Sequence, residues 1–112
     1  MTFSERAALS RLDRVGPATA ADVARLEQIR PQTMGATIAA LERRGLVERG
    51  RDPTDGRRVL VSVTAAGRRM LRARRSARAE QLARALEAEF TREELRRLEA
   101  CIPLLERLAE RL

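Results

Sequence analysis

The chain has no histidine, tryptophan, tyrosine or lysine, two phenylalanines and a single cysteine among its 112 residues. Without histidine it lacks the commonest general base, the usual metal ligand and the side chain that titrates near neutrality. Ser-His or Cys-His catalysis and histidine-based metal sites therefore lose a key participant, and neither a metal nor a cofactor is expected. With Phe3 and Phe90 as its only aromatics, it has little from which to build the base-stacking platforms of single-strand and many RNA binders. Cys101 has no partner for an internal disulfide, and no signal-peptide pattern opens the sequence, so the expected location is the reducing cytoplasm. No apolar run approaches the ~20 residues of a membrane span, and no membrane partner is expected.

What is present is enough apolar material for a core (44% of residues) and much charge (35%). The length suits one domain with an appended helical element, since domains typically run ~100–150 residues. The net charge is +7 and every basic residue is arginine. Position says more than the total. Residues 1–42 hold five Arg against five acids, residues 43–78 twelve against three, and residues 79–112 six against eight, for balances of 0, +9 and −2. A guanidinium forks bidentately onto phosphate and guanine, so this central excess points to nucleic acid; a merely solvated face is the blander reading.

Helix signals are regular. Thr2-Phe3-Ser4-Glu5 spells a capping box, and Ala8, Leu9, Leu12 and Val15 recur at helical spacing until Gly16-Pro17. Thr19 opens a second box at Asp22, followed by Val23, Leu26 and Ile29 on one face. Pro31 suits the first position of a third helix, whose apolar stripe is Met34, Ile38 and Leu41 and which Gly45 ends. Gln32, Thr33, Ala36, Thr37 and Arg43 are then expected to face outward. Leu46-Val47 and the alternating stretch Val59–Val63 predict two strands joined by the basic loop Gly50–Arg57. Thr64 caps a long helix reaching about Glu89, and Thr91 with Glu94 opens a last helix bearing Leu95, Leu98, Ile102, Leu105, Ala109 and Leu112 at alternating three and four spacing. Pro103 should bend that helix without stopping it. Glu93 and Glu94 are the nearest thing to a carboxylate pair, but first-turn capping and the helix dipole account for them, and no enzyme is expected.

The expected fold is therefore mainly α with a small β-wing: a winged helix-turn-helix over residues 1–66 plus long C-terminal dimerisation helices over residues 67–112, with no linker. Six stretches carry a resemblance: Leu9–Pro17, Thr19–Ala24, Pro31–Met34, Leu41-Glu42-Arg43-Arg44-Gly45-Leu46-Val47, Asp52-Pro53-Thr54-Asp55-Gly56-Arg57 and Leu60–Arg68. The sequence resembles the MarR family of bacterial transcription regulators over nearly its whole length, most specifically in the D-P-x-D-G-R wing and the T-x-x-G-R helix start. That resemblance implies a homodimer, held by Leu95, Leu98, Ile102, Leu105 and Leu112, on a pseudo-palindromic double-stranded DNA operator. It also implies a repressor released by a small anionic or phenolic effector, in a pocket bounded by Leu9, Leu12 and the arginine cluster of the long helix.

Each implied contact has a physical counterpart. Gln32, Thr33 and Thr37 can hydrogen-bond base edges, and Ala36 can touch a thymine methyl. Arg57 suits a narrow minor groove with Asp55 orienting it, while Arg43, Arg49, Arg51 and Arg58 suit the flanking DNA and its phosphates. The sequence departs from the family in having Ala36 where an arginine is common and Arg30 where a Ser, Thr or Asp cap is common. The family's additional N-terminal helix has no counterpart in these residues. Cys101, beside the apolar seam, is expected to be a buried structural thiol, since a sensing thiol needs exposure and an electropositive neighbourhood. The alternative function is a winged-helix protein used for nonspecific nucleic-acid binding or protein contact.

Overall fold

Four of the five helices start on a threonine whose hydroxyl gives a first-turn backbone N–H an oxygen partner, Thr64 among them through Gly67 N at 3.1 Å. Thr2 Oγ1 accepts from Glu5 N at 3.1 Å and the Glu5 carboxylate answers the Thr2 amide, capping α1 (Phe3–Val15). Thr19 accepts from Asp22 N at 3.1 Å ahead of α2 (Ala20–Glu27). Thr91 and Glu94 repeat the reciprocal box ahead of α5 (Arg92–Glu110). Helix α3 (Pro31–Arg43) starts instead on proline at its first turn. Between α3 and α4 (Ala65–Glu89) lie strands β1 (Val47–Arg51) and β2 (Val59–Val63), paired antiparallel with Val47 opposite Val63 and Arg51 opposite Val59. The structure, a computed structural model, describes residues 1–112. It is a winged helix-turn-helix, mainly α with a small β-wing.

The chain forms two compact units, Met1–Arg74 and Arg75–Leu112. The first extends past the division expected after residue 66, because Gly67 and Leu71 of α4 are buried in its core. That core joins Ala8, Leu9 and Leu12 of α1 to Val23 and Ala24 of α2, Met34, Ile38 and Leu41 of α3, and Leu46, Val47 and Val61 of the sheet region. Leu9 and Leu12 are therefore sealed inside the first unit, which corrects their placement on an effector pocket: the α1 face that carries them is the face α2 and α3 cover. Helix α2 is also shorter than its apolar spacing predicts. It stops at Glu27 with Gln28 in the left-handed region (φ 55°), so Ile29 reaches the core from beyond the helix, while Leu26 within it is exposed.

Two backbone hydrogen bonds tie the segment before α2 to the sheet: Ala18 N to Val61 O at 3.1 Å and Val61 N to Ala18 O at 2.8 Å. Ion pairs add local braces. Arg11 meets Glu27 at 2.8 Å between α1 and α2, and Arg44 meets Glu5 at 3.3 Å.

In the second unit no residue of α5 is buried. Leu98, Ile102, Leu105 and Leu112 stand exposed, as do Leu104 and Leu108, which the seam reading omits. Helix α5 runs unbroken through Pro103. Cys101 is exposed too, contrary to the expected buried thiol, since nothing within one chain covers α5.

The tightest packing is at the start of α4. A Cβ placed on Gly67 would collide with the Leu46 carbonyl oxygen and lie 2.8 Å from Val63 Cγ1, whereas one on Gly35 in α3 would meet nothing within 4 Å. The same substitution therefore has opposite signs at the two helical sites. Gly35→Ala should raise stability by ~0.5–1 kcal/mol through reduced backbone entropy, and Gly67→Ala should lower it by ~1–3 kcal/mol through overpacking. Urea denaturation measures both, and a stabilised Gly67→Ala would remove the close-approach argument.

Candidate nucleic-acid interface

Helix α3 divides into a face that holds the fold and a face that is free. Met34, Ile38 and Leu41 are fully buried, while Gln32, Thr33, Ala36 and Arg43 are exposed. Thr37, expected outward, is only 8% exposed. It lies three residues after Met34 and four before Leu41, on the buried stripe itself. It is withdrawn from the set of base-reading residues. Gln32, Thr33 and Ala36 remain together on the first two turns of α3.

The wing is built from short-range hydrogen bonds to carboxylates. Asp52 Oδ1 accepts from Thr54 N at 2.9 Å and from the Thr54 hydroxyl at 2.8 Å. Asp55 Oδ1 accepts from Arg57 N at 3.1 Å and from Arg57 Nε at 3.5 Å. Asp55 thus sits where it can orient the wing-tip arginine, whose side chain is 95% exposed. The hairpin is closed by Asp52 N to Arg58 O and Arg58 N to Asp55 O, both 3.0 Å. Arg51 reaches across it to donate to Gly56 O at 2.8 Å, and Arg49 pairs with Glu42 of α3 at 3.2 Å.

Arg58, read from the sequence as a phosphate-facing residue, also makes contacts within the protein. Its guanidinium lies between Asp22 of α2, at 3.5 Å, and Asp52 of the wing, at 3.9 Å. It joins the two halves of the surface, and Asp22 and Asp52, read from the sequence only as a cap and a turn residue, are its anchors. Asp22 is held below the ordinary carboxylate range chiefly by hydrogen bonding with the Thr19 side chain, and Asp52 chiefly by the Thr54 backbone N–H. Each favours the charged form that attracts Arg58.

Residues 1–58 match the MarR family. The chain belongs to the MarR family of transcriptional regulators. It is 41% identical over 86 residues to an HTH-type transcriptional regulator of Mycobacterium tuberculosis, covering 77% of this chain and 60% of that protein, so it spans about three-fifths of that relative's length. A transcriptional regulator of Pseudomonas aeruginosa PA01 superposes with a TM-score of 0.82 at 39% identity, over 96% of this chain and 74% of that one. A mutant of MepR from Staphylococcus aureus, solved bound to an oligodeoxyribonucleotide, shares the fold with a TM-score of 0.75 at 24% identity, over 100% and 80% of the two chains.

The Arg58 bridge makes a pH prediction. Because both carboxyls titrate below the ordinary value of 3.8, their contribution to stability is complete above that value and is lost as pH falls through the lower folded values. Amide exchange at Asp52 and Arg58, referred to the intrinsic rate, should quicken in that acid range, and Arg58→Ala should show quickened exchange already at neutral pH. Unchanged protection in Arg58→Ala would return Arg58 to a purely outward role.

Proposed function

We propose that this MarR-family chain is a sequence-specific double-stranded DNA-binding transcriptional regulator that acts in the cytoplasm as a homodimeric repressor on a pseudo-palindromic operator. The observation that carries the reading is the pairing of two exposed features on one unit: the Gln32-Thr33-Ala36 face of α3 and a wing tip whose Arg57 is 95% exposed. A helix-turn-helix places the N-terminal part of its recognition helix in the major groove, and a wing arginine suits the adjacent minor groove. That a protein of the same fold was solved on an oligodeoxyribonucleotide supports the assignment. Arg43, Arg49 and Arg51 are exposed around these features and supply phosphate contacts, which set affinity and salt dependence but not sequence.

The dimer rests on α5. Leu98, Ile102 and Leu105 are 45%, 48% and 60% exposed, and Leu112 almost fully so. With the half-buried Leu95 they form a stripe that an isolated chain leaves in water. Two-fold pairing through it would present two recognition helices to two half-sites one helical turn apart. Occupying a promoter in this way excludes other proteins from it, which is repression. A small anionic or phenolic effector completes the reading, drawn by the exposed Arg68, Arg69 and Arg72 of α4.

Two experiments test this. In competition binding at fixed salt, an operator should outcompete bulk DNA by ~10³-fold or more. Arg57→Ala should shrink that ratio, while Arg51→Ala should weaken specific and bulk binding equally and lower the salt slope by ~1. Absence of any preference would leave a nonspecific winged-helix protein. Sedimentation should give a dimer at micromolar concentration, converted to monomer by the double substitution Leu98→Glu and Leu105→Glu with loss of operator binding; a wild-type monomer would refute the α5 interface.

A further inference from the structure

The α3 face offered to DNA lacks both kinds of side chain that read G·C pairs. Through its first two turns the exposed residues after Pro31 are Gln32, Thr33 and Ala36, with Gly35 half-buried between them. Glu42 and Arg43 appear only at the far end of the helix, and Arg30 precedes it. Guanine presents two acceptors, O6 and N7, in the major groove and calls for a cation with two donors. Cytosine presents an N4 donor and calls for a carboxylate. Neither group stands among the exposed side chains of these two turns, Arg30 lying at the N-cap just before them.

Adenine and thymine are matched instead. The Gln32 carboxamide offers one donor and one acceptor side by side, the complement of adenine N7 and N6. Thymine adds a C5 methyl, which seeks an apolar neighbour, and the Thr33 methyl and the Ala36 Cβ supply two. Gln32 and Ala36 are one helical turn apart, ~6 Å along the axis, which corresponds to about two base-pair steps of 3.4 Å. Beside Gly35 there is open space to 4 Å, so no side chain there holds α3 away from the groove floor. With Thr37 withdrawn into the core, the polar groups left on these turns are the Gln32 carboxamide and the Thr33 hydroxyl, and only the carboxamide can pair bidentately with a base.

We infer that α3 reads adenine–thymine pairs, with Gln32 as the adenine-reading residue and Thr33 and Ala36 as thymine-methyl readers, so that each operator half-site is A·T beneath the recognition helix. The wing points to the same composition independently. Arg57, tethered to Asp55 at 3.5 Å and otherwise in solvent, is suited to the narrow, strongly negative minor groove of A-tracts. The inference rests on the DNA-binding function proposed above and specifies what that surface recognises.

The test selects bound duplexes from a random-sequence library with the full 112-residue chain at fixed salt, then places base analogues in the selected site. The expected motif has A·T pairs at the positions that 7-deazaadenine, which lacks the N7 acceptor, weakens by about tenfold. Gln32→Ala should erase sensitivity to that analogue, and the double substitution Thr33→Ser with Ala36→Gly, which removes both methyl neighbours, should erase sensitivity to replacing thymine by uracil. Enriched G·C pairs sensitive to 7-deazaguanine under the helix would overturn the A·T assignment while leaving a sequence-specific regulator intact. A selected site whose 7-deazaadenine sensitivity survives in Gln32→Ala would overturn the role of Gln32, a conclusion that fluorescence anisotropy on the folded variant reads directly. No enrichment of any motif would overturn both this inference and the function on which it rests.

Discussion

Around the Leu46 carbonyl, four chain segments meet with almost no room between them. Thr64 N donates to that oxygen at 3.0 Å, the Thr64 hydroxyl donates to Gly45 O at 2.7 Å and accepts from Gly67 N at 3.1 Å, and Gly67 itself lies against the same carbonyl. Gly45, at φ 72°, turns the chain out of α3 into β1. Thr64 closes β2 and starts α4. The end of the recognition helix, the base of the wing and the start of the long helix are thus held by one small polar cluster that tolerates no side chain at Gly67. Because a buried carbonyl without a partner costs ~1–3 kcal/mol, the cluster is constrained by chemistry as well as by space.

Charge is handled by division of labour. The central third of the sequence carries the arginine excess, yet several of those guanidinia face other residues of the protein: Arg49 meets Glu42, Arg51 braces the hairpin at Gly56, and Arg58 spans Asp22 and Asp52. Surface pairs of this kind contribute little stability, ~0–1 kcal/mol each. Their value is directional. They brace the wing and leave Arg57 exposed at its tip, with the Asp55 carboxylate 3.5 Å from its Nε to limit where the side chain can point.

The parts of the fold legible in the sequence are those whose causes are local. Capping boxes at Thr2 and Thr91 act over three residues, and the Met34-Ile38-Leu41 stripe follows directly from the helical repeat. Thr37 shows where residue type misleads: its spacing from Met34 and Leu41 places it on the stripe, but a hydroxyl suggests solvent, and spacing was the better guide. Leu9 and Leu12 were readable as helix-face residues but not as core, since which elements cover that face is a tertiary fact. The length of α2 depended on Gln28 adopting a left-handed backbone, which no neighbouring residue announces. The Arg58 bridge was hidden for the same reason as the Ala18–Val61 pairing: its partners are far apart along the chain.

The Ala18–Val61 pairing has a mechanical consequence. It pins the segment entering α2 to the strand that returns from the wing, and Arg58 makes a second attachment nearer the loop. A hairpin fastened at two points to the segment that enters α2 and to α2 itself is hindered from swinging independently of the helices beneath it. The spacing between the two is then part of the folded state, settled before any encounter, and little conformational entropy is lost at the base of the wing when it is engaged. If the wing engages DNA as proposed above, a larger share of any adjustment of groove width or bend falls on the duplex, so its stiffness would enter the binding free energy even at base pairs the protein never touches.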